Sequence, residues 1–183
     1  MLKPKECAGC PLEKTGTGFV CDKPAKDKPL FAVMFKHPGK MELVDNVPIT
    51  GYNLRRFQEM LLEPLKIDID DLLLCNTLRC YPPDGKYPIG KEKVQALKHC
   101  RRYDTELRKF KAETIGVTYS PFDLFKNSNI EKFLYSAFAV ARRQAQEGQK
   151  ILLLCGTEAK DLYFPNLHGG MKRWQRSFWK GSS

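Results

Sequence analysis

Leu30-Phe31-Ala32-Val33-Met34-Phe35-Lys36-His37-Pro38-Gly39 is the stretch on which the fold turns. Its uninterrupted apolar run suits a strand buried on both faces, as in a parallel sheet, and the Lys-His-Pro-Gly that follows is a turn. Two further runs have the same character. Asp71 to Asn76 is built on Leu72-Leu73-Leu74-Cys75, and Lys150 to Cys155 on Ile151-Leu152-Leu153-Leu154, entering a helix at Gly156-Thr157. Helical patterns lie between the runs: Leu54, Phe57, Leu61, Leu62 and Leu65 share one face of a helix over Tyr52 to Leu65, and Gly90 to about Lys109 forms a second. Strands alternating with helices, over connections long enough for crossovers, predict an α/β protein, a three-layer sandwich around a short, mostly parallel central sheet. Ligands of such sheets bind at the carboxyl ends of the strands, which makes the Lys36-His37-Pro38-Gly39 turn a candidate site lining.

The connection from Phe110 to Gly148 is longer. Its amphipathic stretch from Ile130 to Gln146, with Phe133, Leu134, Ala137, Phe138 and Ala141, is expected as an inserted helix packed on the sheet, so that residues 110–148 form a helical insertion. Tyr119-Ser120-Pro121-Phe122-Asp123 reads as a turn leading into it. Residues 1–29, rich in Lys, Pro and Gly, are expected as an irregular arm organised by a metal-binding knuckle rather than by a core. A chain of 183 residues fits one domain, 1–183, with room for a sizeable core.

Thirty-one Lys and Arg against 21 Asp and Glu leave a formal charge of +10, a field that attracts polyanions, nucleic acid first among them. Basic clusters occur at Arg55-Arg56, at Lys98-His99 with Arg101-Arg102, at Arg142-Arg143 and at Lys172-Arg173. The last is interleaved with Trp174, Phe178 and Trp179, a mixture that suits either phosphate contact with base stacking or docking into a core. No apolar run approaches the roughly 20 residues of a membrane span, so a membrane is not expected as a partner.

Seven cysteines, an odd number in a chain without a secretory signal, argue against a disulfide framework and for a reducing compartment, the cytoplasm. Cys75 and Cys155 stand inside apolar runs and are expected to fill the core. Cys21 carries no assignment. Cys7, Cys10, Cys80 and Cys100 make a different pattern, one close pair and two distant singles, and look like ligands of one metal centre. The knuckle Cys7-Ala8-Gly9-Cys10-Pro11-Leu12 supplies the tight turn that lets two sulfurs face one centre. Four thiolates suit an iron-sulfur cluster or zinc, and spacing leaves both open.

Assembled, these residues resemble the iron-sulfur uracil-DNA glycosylases, family 4, and the related domains attached to phage DNA polymerases, over most of the chain. In that family a Cys-x-x-Cys-Pro-Leu arm precedes a strand ending in Gly-Glu-Ala-Pro-Gly, matched here by Phe35-Lys36-His37-Pro38-Gly39. Its Pro-Phe-Val-Gly segment corresponds to Pro48-Ile49-Thr50-Gly51. The most specific match is Cys75-Asn76-Thr77-Leu78-Arg79-Cys80-Tyr81-Pro82-Pro83, for Thr-Asn-x-x-x-Cys-x-Pro-Pro. Pro88 to Cys100, with Glu92, resembles the Pro-x-x-x-Glu-x-x-x-Cys helix, and Leu154-Cys155-Gly156-Thr157-Glu158-Ala159 the third strand and helix start.

The resemblance implies a uracil-DNA glycosylase-like fold with an N-terminal iron-sulfur arm and a [4Fe-4S] cluster on Cys7, Cys10, Cys80 and Cys100. It implies DNA as partner, single-stranded or uracil-containing, with a replication protein as a further partner, and the host's cytoplasm for a phage-encoded chain. Such enzymes flip uracil out of DNA and cut its N-glycosidic bond. Lys36, His37, Pro38, Gly39 and Asn76 would line the base site, with Asn76 reading the base edge, and Lys86, Lys91 and Lys93, joined by Lys98, would face phosphate. Three departures bear on catalysis. Lys36 replaces the family's glutamate, and an ammonium cannot serve as general base while protonated. Ile49 replaces the stacking phenylalanine and has no flat π-face. The fourth strand with its His-Pro-Ser motif is expected after Gly169 to Gly181, where the chain stops at Ser183, and His168 aligns with the preceding linker. The expected protein is therefore a catalytically degenerate iron-sulfur domain that binds nucleic acid or a replication or repair partner. An active uracil-DNA glycosylase is the first alternative, and a zinc-stabilised protein-interaction domain the second.

Overall fold

The computed structural model describes residues 3–125 and 127–164. Four strands of five residues form one sheet: β1 (Phe31–Phe35), β2 (Leu72–Asn76), β3 (Thr114–Thr118) and β4 (Ile151–Cys155). Their spatial order is β2-β1-β4-β3, and every neighbouring pair is parallel. β1, β2 and β4 are buried at all five positions, which is why each reads as an unbroken apolar run. β3 does not read that way. Thr-Ile-Gly-Val-Thr starts half-exposed and, among the described residues, pairs only with β4, so it lacks the signal of a central strand.

The stretch 110–148 is therefore more than a helical insertion. It supplies the edge strand β3 and then the expected helix, α5 (Glu131–Gln146), whose Leu134, Ala137, Phe138 and Ala141 are buried. Helices cover both faces of the sheet. On one, Phe31, Val33, Phe35, Leu72, Leu74 and Leu153 pack against α2 (Gly51–Phe57) and α5, with Phe57 and Phe138 edge-on to strand phenylalanines and to each other. On the other, Ala32, Met34, Leu73, Leu152 and Leu154 meet α4 (Thr105–Phe110) and α6 (Thr157–Tyr163) through Leu107 and Ala159. Two short-range expectations change. The helix over Tyr52 to Leu65 leaves α geometry after Phe57 and continues as a wide π turn over Gln58–Leu62. The helix from Gly90 breaks after Cys100, giving α3 (Gly90–Cys100), a 3₁₀ turn and then α4.

The N-terminal arm is irregular as expected, yet it is not organised by the cysteine knuckle alone. Thr17 bridges Tyr81, Lys23 bridges Leu74, and the Val20 N–H donates to the Arg79 carbonyl at 2.7 Å, so the arm runs antiparallel along the outer side of β2 and its extension. A bare strand edge is thereby covered, and Phe19 and Val20 of the arm are buried. Among the described residues no helix is long and apolar enough to cross a membrane.

A buried ion pair locks this arrangement. Arg79 is 1 % exposed, and its two terminal nitrogens meet the two Asp22 oxygens at 2.6 and 3.0 Å in a bidentate pair. One of those nitrogens also donates to Asp104 Oδ1 at 2.9 Å and to the Tyr103 carbonyl at 3.0 Å. Burial opposes the guanidinium's charge, but Asp22 and Asp104 more than offset it, and the Arg79 pKa moves up. The arm, the exit of β2 and the break between α3 and α4 thus share one cation.

Removing one partner of such a pair strands the other, at a cost of about 3–5 kcal/mol, and Asp22→Ala is expected to lower the unfolding free energy in urea by that much. Glu59→Ala, which loses only exposed pairs with Arg55 and Arg56, should change it by under about 1 kcal/mol. A loss for Asp22→Ala no larger than for Glu59→Ala would show that the arm is held by other contacts.

Candidate functional site

All four strands end on one side of the sheet, and their loops are tied to each other there. The Thr77 N–H donates to the Phe35 carbonyl at 2.9 Å and the Leu78 N–H to the Lys36 carbonyl at 3.2 Å, while the Thr77 hydroxyl also donates to Lys36 O. Lys36-His37-Pro38-Gly39 and Asn76-Thr77 are therefore neighbours. Across the sheet the Gly156 N–H donates to the Thr118 carbonyl at 2.9 Å. Gly156 holds φ at +96°, and a Cβ there would touch Ser120, so the β4 exit packs directly on the loop after β3.

Asn76 ends β2 opposite Phe35 and is 2 % exposed. Among the described residues, neither its carbonyl oxygen nor its amide nitrogen has a hydrogen-bond partner. Leaving such groups buried and unpaired costs about 1–3 kcal/mol each, so folding gains nothing from this carboxamide. A ligand edge that offers one donor and one acceptor would satisfy it.

Around Asn76 the loops form a cationic, aromatic wall. The Lys36 ammonium pairs with Glu158 at 2.8 Å and lies 5.4 Å from the centre of the Tyr87 ring. Lys93 lies 5.9 Å from the same ring and pairs with Asp161 at 2.9 Å. Tyr87 is anchored by its hydroxyl, 2.7 Å from the Thr77 hydroxyl, and stacks on His37. Burial pushes the Tyr87 phenol pKa up, so it remains a neutral hydroxyl. Burial also lowers the His37 pKa below its ordinary value, the Lys36 ammonium adding to the effect, while Nδ1 lies 2.9 Å from the Pro38 carbonyl. A neutral, anchored imidazole results.

Ile49 is buried among Phe35 and Phe57 as a core residue. Beside it, buried Glu42 accepts from the Thr50 N–H at 3.3 Å and joins the β1 turn to the 48–51 loop. Of the expected phosphate-facing lysines, Lys86, Lys91 and Lys98 are exposed, whereas Lys93 is half-buried in its ion pair. Tyr87 and Glu158 are the site residues that sequence reasoning missed. A tyrosine among prolines and an acid at a helix start carry no signal of their own, and only the packing of three loops brings them to Lys36.

The four expected ligands also converge. Cys10, Cys80 and Cys100 share one apolar cluster with Leu12, Leu78, Ala96 and Leu97, and α3 packs on the short turn Lys5–Cys7. Cys7 and Cys10 are near enough for their charges to act on Cys80, as those of Cys10 and Cys80 do on Cys100. Burial pushes the thiol pKa values up to about 11 for Cys80, where Lys3 opposes it, and about 12 for Cys100, where the Arg79 backbone N–H does. Lys3 also closes the knuckle by donating to the carbonyls of Leu12, Glu13 and Gly16. Gly16 is required there, because a Cβ would stand 2.9 Å from the Cys80 sulfur. Among the described residues no three His, Cys, Asp or Glu side chains are arranged as ligands of a single metal ion. Four thiols gathered at one apolar cluster are a donor set that either zinc or a four-iron cluster would take.

Cys75 and Cys155 are buried in β2 and β4, and Cys21 is exposed. His168, Lys172-Arg173, Trp174, Phe178 and Trp179 lie outside the described residues. Comparison with protein-family models finds no match, and comparison with curated proteins finds none.

Proposed function

We propose that this protein is a uracil-DNA glycosylase-like domain without turnover. In this reading it carries a [4Fe-4S] cluster on Cys7, Cys10, Cys80 and Cys100, and binds DNA, with an unstacked pyrimidine held at Asn76. The observation that carries the reading is the Asn76 carboxamide, buried at the carboxyl end of a strand and without a hydrogen-bond partner among the described residues. Exposed Lys86, Lys91 and Lys98 would supply phosphate contacts in this reading. The cluster would pin the arm and the Tyr81–His99 loop, and with it Tyr87, against the sheet. Cytoplasmic location and a replication or repair setting belong to the same proposal.

The loss of turnover follows from two positions: Lys36 stands where the resemblance puts the acid, and Ile49 where it puts the stacking phenylalanine. One observation favours the active alternative: Glu158 returns a carboxylate to the mouth of the site, although it is held by Lys36.

Asn76→Leu is expected to do two opposite things. By removing a buried unsatisfied amide it should raise the unfolding free energy by about 1–3 kcal/mol, and it should weaken binding of uracil-containing single-stranded DNA about tenfold. A variant that is less stable and binds as before would mean that the amide serves the fold.

Single-turnover assays with cluster-loaded protein are expected to release no uracil from single-stranded or double-stranded DNA, and release that Asn76→Ala or Glu158→Gln abolishes would establish the active alternative. If about five phosphates are neutralised on duplex DNA, the logarithm of the binding constant should fall with the logarithm of salt at a slope near −4.5, and binding that ignores salt would end the nucleic-acid reading. Cys80→Ser should strip iron and sulfide together. Retention of either at full stoichiometry, or zinc in their place, would reject the cluster.

A further inference from the structure

We propose that the cavity between α4, α6 and the amino halves of β3 and β4 is a second ligand site, and that it takes a nucleotide, free or at the end of a strand. It is separate from Asn76 on two counts. Ile115 and Leu152, which floor it, are the second residues of their strands, whereas Asn76 is the last of β2. Leu152 also faces the Ala32 and Met34 side of the sheet, while Asn76 alternates with Leu72 and Leu74 toward the other. Nothing in the cavity depends on the function proposed for Asn76.

Its volume is about 370 Å³, near the lower bound for small-molecule pockets, roughly 300–1,000 Å³. Ile115 and Leu152 are paired in register and give a flat apolar floor. Leu107 forms one wall and the Tyr163 ring another, with the Arg101 guanidinium 5.2 Å from the ring centre. Arg101 and Arg108 are both exposed, and they bring two forked cations to one apolar slot. The lining's one acid, Asp104, is already held by Arg79. Burial pushes the Tyr163 pKa up to about 12, so the phenol adds no negative charge. A slot with a flat floor suits a planar ring, and two guanidinium groups suit an anion with several oxygens, a phosphate above all. Exposed Arg102 and Lys111 extend the positive field beyond the rim. A nucleotide combines these features, the ring on Ile115 and Leu152 and the phosphate on Arg101 and Arg108.

The test uses the full chain with methyl-labelled leucine and isoleucine, followed by NMR. AMP and UMP are expected to shift the Leu107, Ile115 and Leu152 methyl signals with a Kd below about 1 mM. Uridine, lacking phosphate, and inorganic phosphate, lacking a ring, should each bind at least about tenfold more weakly, and Arg108→Ala should cost about tenfold for AMP. Asn76→Leu should leave these shifts unchanged, which keeps this site's fate apart from that of the Asn76 reading. A 5′-phosphorylated oligonucleotide that binds more tightly than UMP supports a strand end as the source, and equal affinity supports the free nucleotide. The proposal is overturned if millimolar nucleotide leaves the methyl signals in place, if Arg108→Ala binds AMP as before, or if the methyls show contacts to the chain's own Trp174 or Trp179 rings.

Discussion

The guanidinium of Arg79 is the constraint on which the rest of the structure depends. A cation sealed from water must find its counter-charges inside the protein, and Asp22 and Asp104 come from segments 57 and 25 residues away in sequence. Such a pair gives little net stability compared with a well-packed apolar replacement, because desolvating the charges consumes most of their attraction. What it fixes is position. The arm cannot slide along β2 without parting Asp22 from Arg79, and α4 cannot run on from α3 without removing Asp104.

Arg79 sits in the buried stretch from Asn76 to Cys80, which divides its partners by position. Asn76 is buried at the end of the sheet, and Thr77 joins Lys36 to Tyr87. Leu78 packs among the cysteines, Arg79 holds the clamp and Cys80 joins the thiol cluster. The two candidate sites are thus built from one rigid segment rather than linked by a path between distant elements. Four peptide units separate Asn76 from Cys80, and backbone hydrogen bonds of Thr77 and Leu78 tie the segment to Phe35 and Lys36.

The central strands were legible because burial on both faces leaves nothing but apolar residues, and the bounds expected for β1, β2 and β4 differ from those observed by one residue at their starts. β3 was hidden by the converse logic. An edge strand of alternating Thr and aliphatic residues around a glycine does not stand out from a loop, and the strong amphipathic signal of α5 beside it drew the whole stretch into an insertion. The arm's pairing with β2 was equally invisible, since a single residue bridging at Thr17 and another at Lys23 imposes no period. Among site residues, Asn76 and the four cysteines could be read from spacing and resemblance. The Arg79 clamp could not, because its acids are ordinary surface residue types whose burial is decided only by tertiary packing.

In the reading proposed for the crevice, its charges separate binding from chemistry. Breaking an N-glycosidic bond builds positive charge on the sugar and negative charge on the base, so a catalytic site needs an unengaged carboxylate near the former. Lys36 places an ammonium at the turn, and the acid paired with it, Glu158, is 2.8 Å away and spends its charge there. Two opposite charges in contact present to a third charge only the residue of their fields, so the pair offers a developing cation little help. His37 does not compensate, since burial and Lys36 both favour its neutral form. A neutral imidazole, an unpaired carboxamide and a rim of exposed lysines remain able to hold a base and its phosphates. Those same groups would leave the bond to the sugar intact.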